Sequence, residues 1–512
     1  MSVIEDLRGL LRLRLLRLLA YTVLMAVTGA ACLSFRFSVL DPDIWWHLKV
    51  GEWIRQHWAV PHNGILCYTA ANRPWVAYSW GYEVLLSNSY SWFGLMGIAW
   101  FGVVLTMAVA VTTFWALHRT SGSFWKAWLL AAASLAAFLF SVMPRPMFFS
   151  MMLYGVLLTL LLEAQRTNRV RLLYWLPPVF VLWANFHIQF VYGLLVLGLY
   201  AGVHILKQIA SARRINFGVE LTPALPARPL LAVLAACFLG SCIGPYSYHL
   251  YQVVLEYSNA KITYAIIMEL QALSFQTWQH YVEALLAVGA FFAVGWKRKI
   301  DPFTLALLCF ATVSGFRTWR DAWFLSMTAA LLIADAFAND PSLPVEEQPV
   351  PAGRRFLEYA AVGGALAVLL VLLASNVDFT PRELDRTISA DYPVDAVNYL
   401  RRNPVPGPVF NSFLWGGFLM WYQPQFPVAI DGRNDLYGEE ADARNFKTEN
   451  GNPSYAQDPW LNAAGFVLLR RDAPLTNMLA TDKRFTVIYH DDVAVIFVPR
   501  NPPRATLPLP AQ

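Results

Sequence analysis

Asp41-Pro42-Asp43-Ile44-Trp45-Trp46-His47-Leu48-Lys49-Val50-Gly51-Glu52-Trp53-Ile54 follows directly on the first apolar run of the chain, and the rest is read outward from it. Two Asp carboxylates, a histidine and three tryptophans meet in this one stretch. A helix beginning near Asp43 puts Trp46, Val50, Trp53 and Ile54 on one face, the spacing of an amphipathic segment lying in the headgroup layer. Asp43, His47 and Gly51 share a neighbouring face. Their four-residue spacing stacks the carboxylate over the imidazole, and the glycine leaves room for something to approach. This is a candidate active-site floor. The structural alternative is that Asp43 only caps the helix, satisfying free backbone N–H groups of the first turn. Asp41 precedes a proline, which favours an extended backbone there.

Composition narrows the class. Of the 512 residues, 57% are hydrophobic and only 14% charged, with a mean hydropathy of +0.42. Soluble domains carry nearer a quarter charged residues, so the chain reads as a polytopic membrane protein. The net charge of +5 implies no nucleic acid, because membrane proteins distribute Lys and Arg by side. The five cysteines form no CxxC metal motif or disulfide framework and read as small core residues. Basic residues before the first apolar run resemble the start of a signal peptide, but a run from Leu18 to Phe35 is long enough to span and reads as a retained helix.

Apolar runs of spanning or near-spanning length lie at about 18–37, 93–117, 126–142, 147–163, 173–186, 188–207, 229–244, 281–296, 302–316, 320–338 and 357–375, which predicts about eleven transmembrane helices. Trp183-Ala184-Asn185-Phe186-His187 interrupts what would otherwise be one run. With the N-terminus inside, every cytoplasmic loop is basic, from Arg119 and Lys126 through Arg166, Arg169 and Arg171 to Arg354 and Arg355. That is the positive-inside pattern, and the odd helix count puts the C-terminus outside. Residues 38–92 and 245–280 are then long outside loops. The first of them continues through the aromatic-rich Asn72–Glu83 stretch, and 339–353 reads as a proline-rich inside linker. The expectation is a transmembrane domain over 1–375 and an extracytoplasmic α/β domain over 376–512. In the latter, a Val394–Arg402 helix precedes strands near 409–411 and 466–470 and a hairpin about Asp491-Asp492.

Further polar residues sit at the outer helix ends. Arg145 lies in a tight Met143–Pro146 turn, and Arg317 and Arg320 flank Trp319. Three outward arginines suit a phosphate, whose oxygens pair with the guanidinium fork; arginines at helix ends also snorkel to lipid headgroups. Asn185, His187, Glu83 and Glu269 join them as substrate-binding candidates, with Glu256 a weaker one.

On these residues the chain resembles the GT-C glycosyltransferases, integral membrane enzymes that take sugar from a polyprenyl-phosphate carrier on the outer face of the membrane. The resemblance rests on Asp41-Pro42-Asp43 after the first helix, the large first outside loop, the helix count and the outside C-terminal domain. It is closest to a bacterial subgroup with the opening stretch above, an Arg145-Pro146-Met147-Phe148-Phe149-Ser150 turn, a Trp183–His187 tip and a Trp415–Tyr437 stretch containing Trp415-Gly416-Gly417 and Ile430-Asp431-Gly432-Arg433. It implies a GT-C-like fold in the bacterial inner membrane, a lipid-linked sugar donor, and a glycan, lipid or protein acceptor. A divalent cation, Mg or Mn, is the cofactor it suggests, although no second loop carboxylate for a metal is evident. In such a reaction the acceptor needs a base and the departing phosphate needs positive charge. Asp43 is the candidate base, Asp41 and His47 the other catalytic candidates, and Arg145, Arg317 and Arg320 the charge. A transporter or flippase is the alternative and would want charged or broken helices at mid-membrane depth; a non-catalytic assembly factor would need neither Asp43 nor the arginines.

Overall fold

The computed structural model describes residues 14–34, 37–138, 143, 145–215, 219–259, 268–297, 299–338, 364 and 380–501. The chain is mostly helical, with a small mixed sheet near its C-terminus. Among the described residues, three helices are long and apolar enough to cross a membrane: Leu95–Ser121, Met147–Thr167 and Phe190–Ala212. Shorter apolar helices include Phe124–Phe138, Ala227–Ser241 and Pro302–Arg317. Helices of that length and apolarity are those of an integral membrane protein. The run expected at 357–375 and the linker at 339–353 fall outside the described residues, residue 364 excepted. Between 173 and 207 the chain does break: one helix ends at Phe186 and the next begins at Phe190. Lys207 lies within the Phe190–Ala212 helix and pairs with buried Asp301 at 2.7 Å.

The chain forms two compact units. The first comprises Met1–Phe35, Gly102–Gly244 and Glu269–Phe379. Its inner helix, Ala322–Ala336, is buried on nearly all sides, as expected of a helix apolar all round. Trp323 and Tyr154 are fully buried there with ring centroids 5.6 Å apart, and the Tyr154 hydroxyl meets Thr328 Oγ1 at 2.5 Å. A buried tyrosine needs such a partner for its hydroxyl.

The second unit comprises Arg36–Phe101, Pro245–Met268 and Thr380–Gln512, so the C-terminal segment shares a core with the first long loop. Its sheet has the order β1-β2-β4-β3, with β1 Val409–Asn411, β2 Phe466–Arg470, β3 Phe485–His490 and β4 Ala494–Pro499. β1 and β2 run parallel with Val409 opposite Phe466, and the other two pairings are antiparallel. The hairpin turn is closed by Asp491, whose Oδ1 accepts from the N–H groups of Val493 and Ala494 at 2.7 and 2.6 Å.

The opening stretch forms a helix, Pro42–His57. Asp41 caps it, accepting from the Asp43 N–H at 3.0 Å, and Pro42 takes the first helical position, where no N–H is needed. The cap is therefore Asp41 and not Asp43. At the other end Trp58 is left-handed (φ 52°) and its N–H returns to the Ile54 carbonyl at 2.8 Å. Protein covers the face expected to meet headgroups: Trp46, Val50 and Ile54 are buried, and only Trp53 is half-exposed. Trp45, completely buried, packs edge-on against Tyr392 and Phe418 at 5.8 and 5.5 Å. The Gly416–Tyr422 helix approaches so closely that a Cβ on Gly417 would lie 2.8 Å from the Pro42 carbonyl oxygen.

Candidate active site

In the second unit the two faces of the Pro42–His57 helix meet different groups. Asp43 Oδ1 accepts a hydrogen bond from Trp46 Nε1 at 3.0 Å. The same oxygen abuts Gly432, where a Cβ would stand only 1.9 Å away, so the Ile430–Arg433 segment reaches Asp43 because it carries no side chain there. His47, 5% exposed, sets its Nδ1 3.1 Å from Glu83 Oε1. Glu83, a substrate-binding candidate in the sequence, is 1% exposed, and its Oε2 has no hydrogen bond among the described residues. Burial pushes its carboxyl well above the ordinary range; Arg433 draws it down and Asp435 adds to the rise. The room beside Gly51 is filled: a Cβ there would fall 2.0 Å from the Glu83 carbonyl oxygen. The glycine is thus a seat for the Trp80–Phe93 helix and not an open floor.

Next to this pair lies a polar network that the sequence marked without disclosing its partners. Arg433 is completely buried and grips Asp431 through two parallel bonds, Nε to Oδ1 at 2.7 Å and Nη2 to Oδ2 at 2.6 Å. The Tyr437 hydroxyl donates to the same carboxylate at 2.6 Å, and Nη2 also reaches the Ile65 carbonyl at 2.9 Å. The guanidinium lies 4.9 Å from the centre of the Trp75 ring, while its Nη1 has no hydrogen bond among the described residues. Trp75 Nε1 in turn donates to Asp435 Oδ2 at 2.9 Å. Burial pushes the Asp435 carboxyl up to about 7 despite that bond and the nearby Arg433. An arginine and two aspartates beside the apolar Val428-Ala429-Ile430 run were the available sequence signal.

The first unit holds the other candidates. Trp319 N donates to the Gln271 carbonyl at 2.9 Å and Leu273 N to the Phe316 carbonyl at 3.2 Å, which lays the segment after Met268 beside the turn that carries Arg320. Glu269 thereby meets two arginines. Arg145 Nη1 contacts both of its oxygens at 3.1 Å, and Arg320 Nη1 lies 4.0 Å away. Burial raises the Glu269 carboxyl, but Arg145 and Arg320 outweigh it and hold it below its ordinary value. His187 is buried with Nδ1 2.8 Å from Ser150 Oγ, which also accepts from Trp183 Nε1 at 2.7 Å. Burial, then the positive charge of Arg320, keeps this imidazole well below its ordinary value, hence neutral near pH 7. Asp321, absent from the sequence candidates, accepts from Thr318 Oγ1, Tyr192 Oη and Gln189 Nε2 at 2.7, 2.8 and 3.1 Å and fixes the turn around Arg320. Arg317 is exposed at a helix end, and the Asn185 amide donates to the Val181 and Ile243 carbonyls at 2.8 and 2.7 Å, tying two helices together.

Among the described residues, no group of three or more His, Cys, Asp or Glu is placed to hold a metal ion. The described side chains therefore offer no ligand set for the suggested divalent cation.

No family model matches the chain, and no curated protein matches its sequence. The chain is similar to solved structures over most of its length. One is the archaeal oligosaccharyltransferase AglB from Archaeoglobus fulgidus in complex with an inhibitory peptide and a dolichol-phosphate, with 11% identity, a TM-score of 0.48, and coverage of 88% of this chain and 69% of that one. Another is ArnT from Cupriavidus metallidurans bound to undecaprenyl phosphate, with 14% identity, a TM-score of 0.44, and coverage of 96% and 99%.

Proposed function

We propose that this chain is a membrane glycosyltransferase that moves a sugar from a polyprenyl-phosphate carrier to an extracytoplasmic acceptor. The observation that carries the reading is the convergence of Arg145 and Arg320 on one carboxylate, Glu269. Two guanidinium groups bracketing an anion are what a glycosyl phosphate needs when its C–O bond breaks and charge collects on the departing phosphate. The resident pair is partly exposed, the side chains of Arg145 and Glu269 retaining 20% and 39% of their accessible surface. An ion pair open to water contributes at most about 1 kcal/mol, so a phosphate competes readily for these arginines.

Asp43 is the base in this reading. It takes the proton of the acceptor hydroxyl as that oxygen bonds to the anomeric carbon, and the sugar–phosphate bond breaks with its electron pair going to the phosphate. Trp46 Nε1 orients the carboxylate, and Asp41 acts as the cap that holds the helix start. His47 and Glu83 fasten the Trp80–Phe93 helix to the Pro42–His57 helix and so position Asp43 indirectly. The same reading includes eleven spans in a bacterial inner membrane, with residues 376–512 outside.

A transporter is the second reading, and Glu283 favours it: this fully buried carboxylate in the Trp278–Gly295 helix has neither oxygen hydrogen-bonded among the described residues. The deciding experiment incubates the purified protein with a panel of polyprenyl-phosphate sugars and envelope glycans, lipids and peptides, and reads products by mass spectrometry. Release of the lipid phosphate coupled to glycosylation of an acceptor is expected. No release from any donor, together with substrate flux abolished by Glu283→Gln, overturns the transferase reading.

A further inference from the structure

A cavity of about 340 Å³ opens within the second unit, at the small end of the range for ligand pockets, roughly 300–1,000 Å³. Its lining joins three distant pieces of chain. Trp75 comes from the first loop, Tyr246, His249, Gln252 and Glu256 from the segment after Gly244, and Asp435 from the C-terminal part. The aromatic members are fixed: Trp75 is held by its bond to Asp435, and the Tyr246 hydroxyl donates to the Pro61 carbonyl at 2.6 Å. Gln252 and Glu256, four residues apart on the His249–Asn259 helix, are both exposed and fall on the same side of it. Rigid aromatic walls with carboxylate, amide and imidazole groups at the rim are the complement of a polyol ring. The C–H faces of such a ring pack on aromatics, and its hydroxyls both donate and accept.

We infer that this cavity binds a hexose unit, with Asp435, Gln252 and Glu256 hydrogen-bonding its hydroxyls against Trp75 and Tyr246. The inference rests on the transferase reading only for what the sugar is used for. The wall is linked to the candidate base by a short path, since Trp75 lies 6.4 Å, ring to ring, from Trp46, the residue bonded to Asp43. A phosphate is disfavoured here because two carboxylates line the space.

The test is binding of methyl hexopyranosides (glucoside, mannoside, galactoside) to the full chain in detergent, followed by saturation-transfer NMR, with and without added undecaprenyl phosphate. Saturable binding of at least one glycoside in the millimolar range is expected. Gln252→Ala and Glu256→Ala, both on an exposed helix face, each weaken it about fivefold or more while leaving the thermal midpoint unchanged. Binding without the lipid phosphate assigns the cavity to the acceptor, and binding that requires it assigns the cavity to the donor sugar. No saturable binding of any glycoside, or binding untouched by both substitutions, overturns the inference. Sugar transfer by the parent chain with no glycoside bound in the cavity overturns the inference and leaves the transferase reading intact.

Discussion

Replacing Gly51 with alanine is the sharpest test of how the candidate site is assembled. The new Cβ would stand 2.0 Å from the Glu83 carbonyl oxygen and 2.9 Å from Ser87 Cβ, against the 3.0 Å below which real Cβ atoms essentially never come. The Pro42–His57 and Trp80–Phe93 helices must therefore separate by about 1 Å, because the obstacle is backbone and cannot rotate away. Overpacking of this kind costs about 1–3 kcal/mol, and the helix propensity gained by removing a glycine returns about 1 kcal/mol. The same 1 Å stretches the 3.1 Å His47–Glu83 contact beyond hydrogen-bond range. Leaving those buried groups unpaired costs a further 1–3 kcal/mol or so. The net loss is roughly 1–5 kcal/mol, a fall of about 2–20 °C in the thermal midpoint for a unit of this size. Gly198→Ala and Gly202→Ala are the controls, since a Cβ at either position meets nothing within 4 Å. Differential scanning fluorimetry in detergent reads all three. A Gly51→Ala midpoint equal to or above that of the parent refutes the close approach of the two helices.

Three other outcomes follow from the same unit. Gly432→Ala drives a methyl group into Asp43 Oδ1, 1.9 Å away, and is expected to lower sugar transfer at least tenfold, with a smaller effect on the thermal midpoint; equal transfer would contradict the placement of Asp43. Asp431→Asn leaves the buried Arg433 without its counter-charge and should destabilise the unit by about 3–5 kcal/mol, whereas a loss below about 1 kcal/mol in denaturant titration would show that the pair is not buried as described. Because the folded Asp435 carboxyl titrates at about 7 and the unfolded one near 3.8, its contribution to stability is complete below pH 3.8 and disappears as pH rises through 7. Melting in buffers from pH 4 to 8 should show this decline, and it should be shallower in Asp435→Asn.

The Pro42–His57 helix was legible because its signals are local: a short acidic cap, a proline at the first turn and apolar residues at helical spacing. The cap was misread by two residues, since Asp41 and Asp43 are equally good acceptors and only the proline's preference for the first helical position separates them. What covers an apolar face is not a local property. Trp46, Val50 and Ile54 look alike whether lipid or protein meets them, and part of their cover comes from a helix beginning at Gly416. Gly51 reads in the sequence as the open floor of a site, and only the fold shows that the Glu83 backbone fills that room. Likewise, the sequence put arginines at outer helix ends, yet the meeting of Arg145, Arg320 and Glu269 depends on two backbone hydrogen bonds between distant turns.

The central claim, that Asp43 is the base of a sugar transfer, is tested most directly by the turnover of Asp43→Asn with whichever lipid-linked donor the parent protein uses. Asparagine keeps the size of the side chain and an oxygen to accept from Trp46 Nε1, and the helix cap belongs to Asp41, so folding should be preserved. The account predicts a loss of about two or more orders of magnitude in kcat at an unchanged thermal midpoint. Transfer by the Asn variant at close to the parental rate would contradict it.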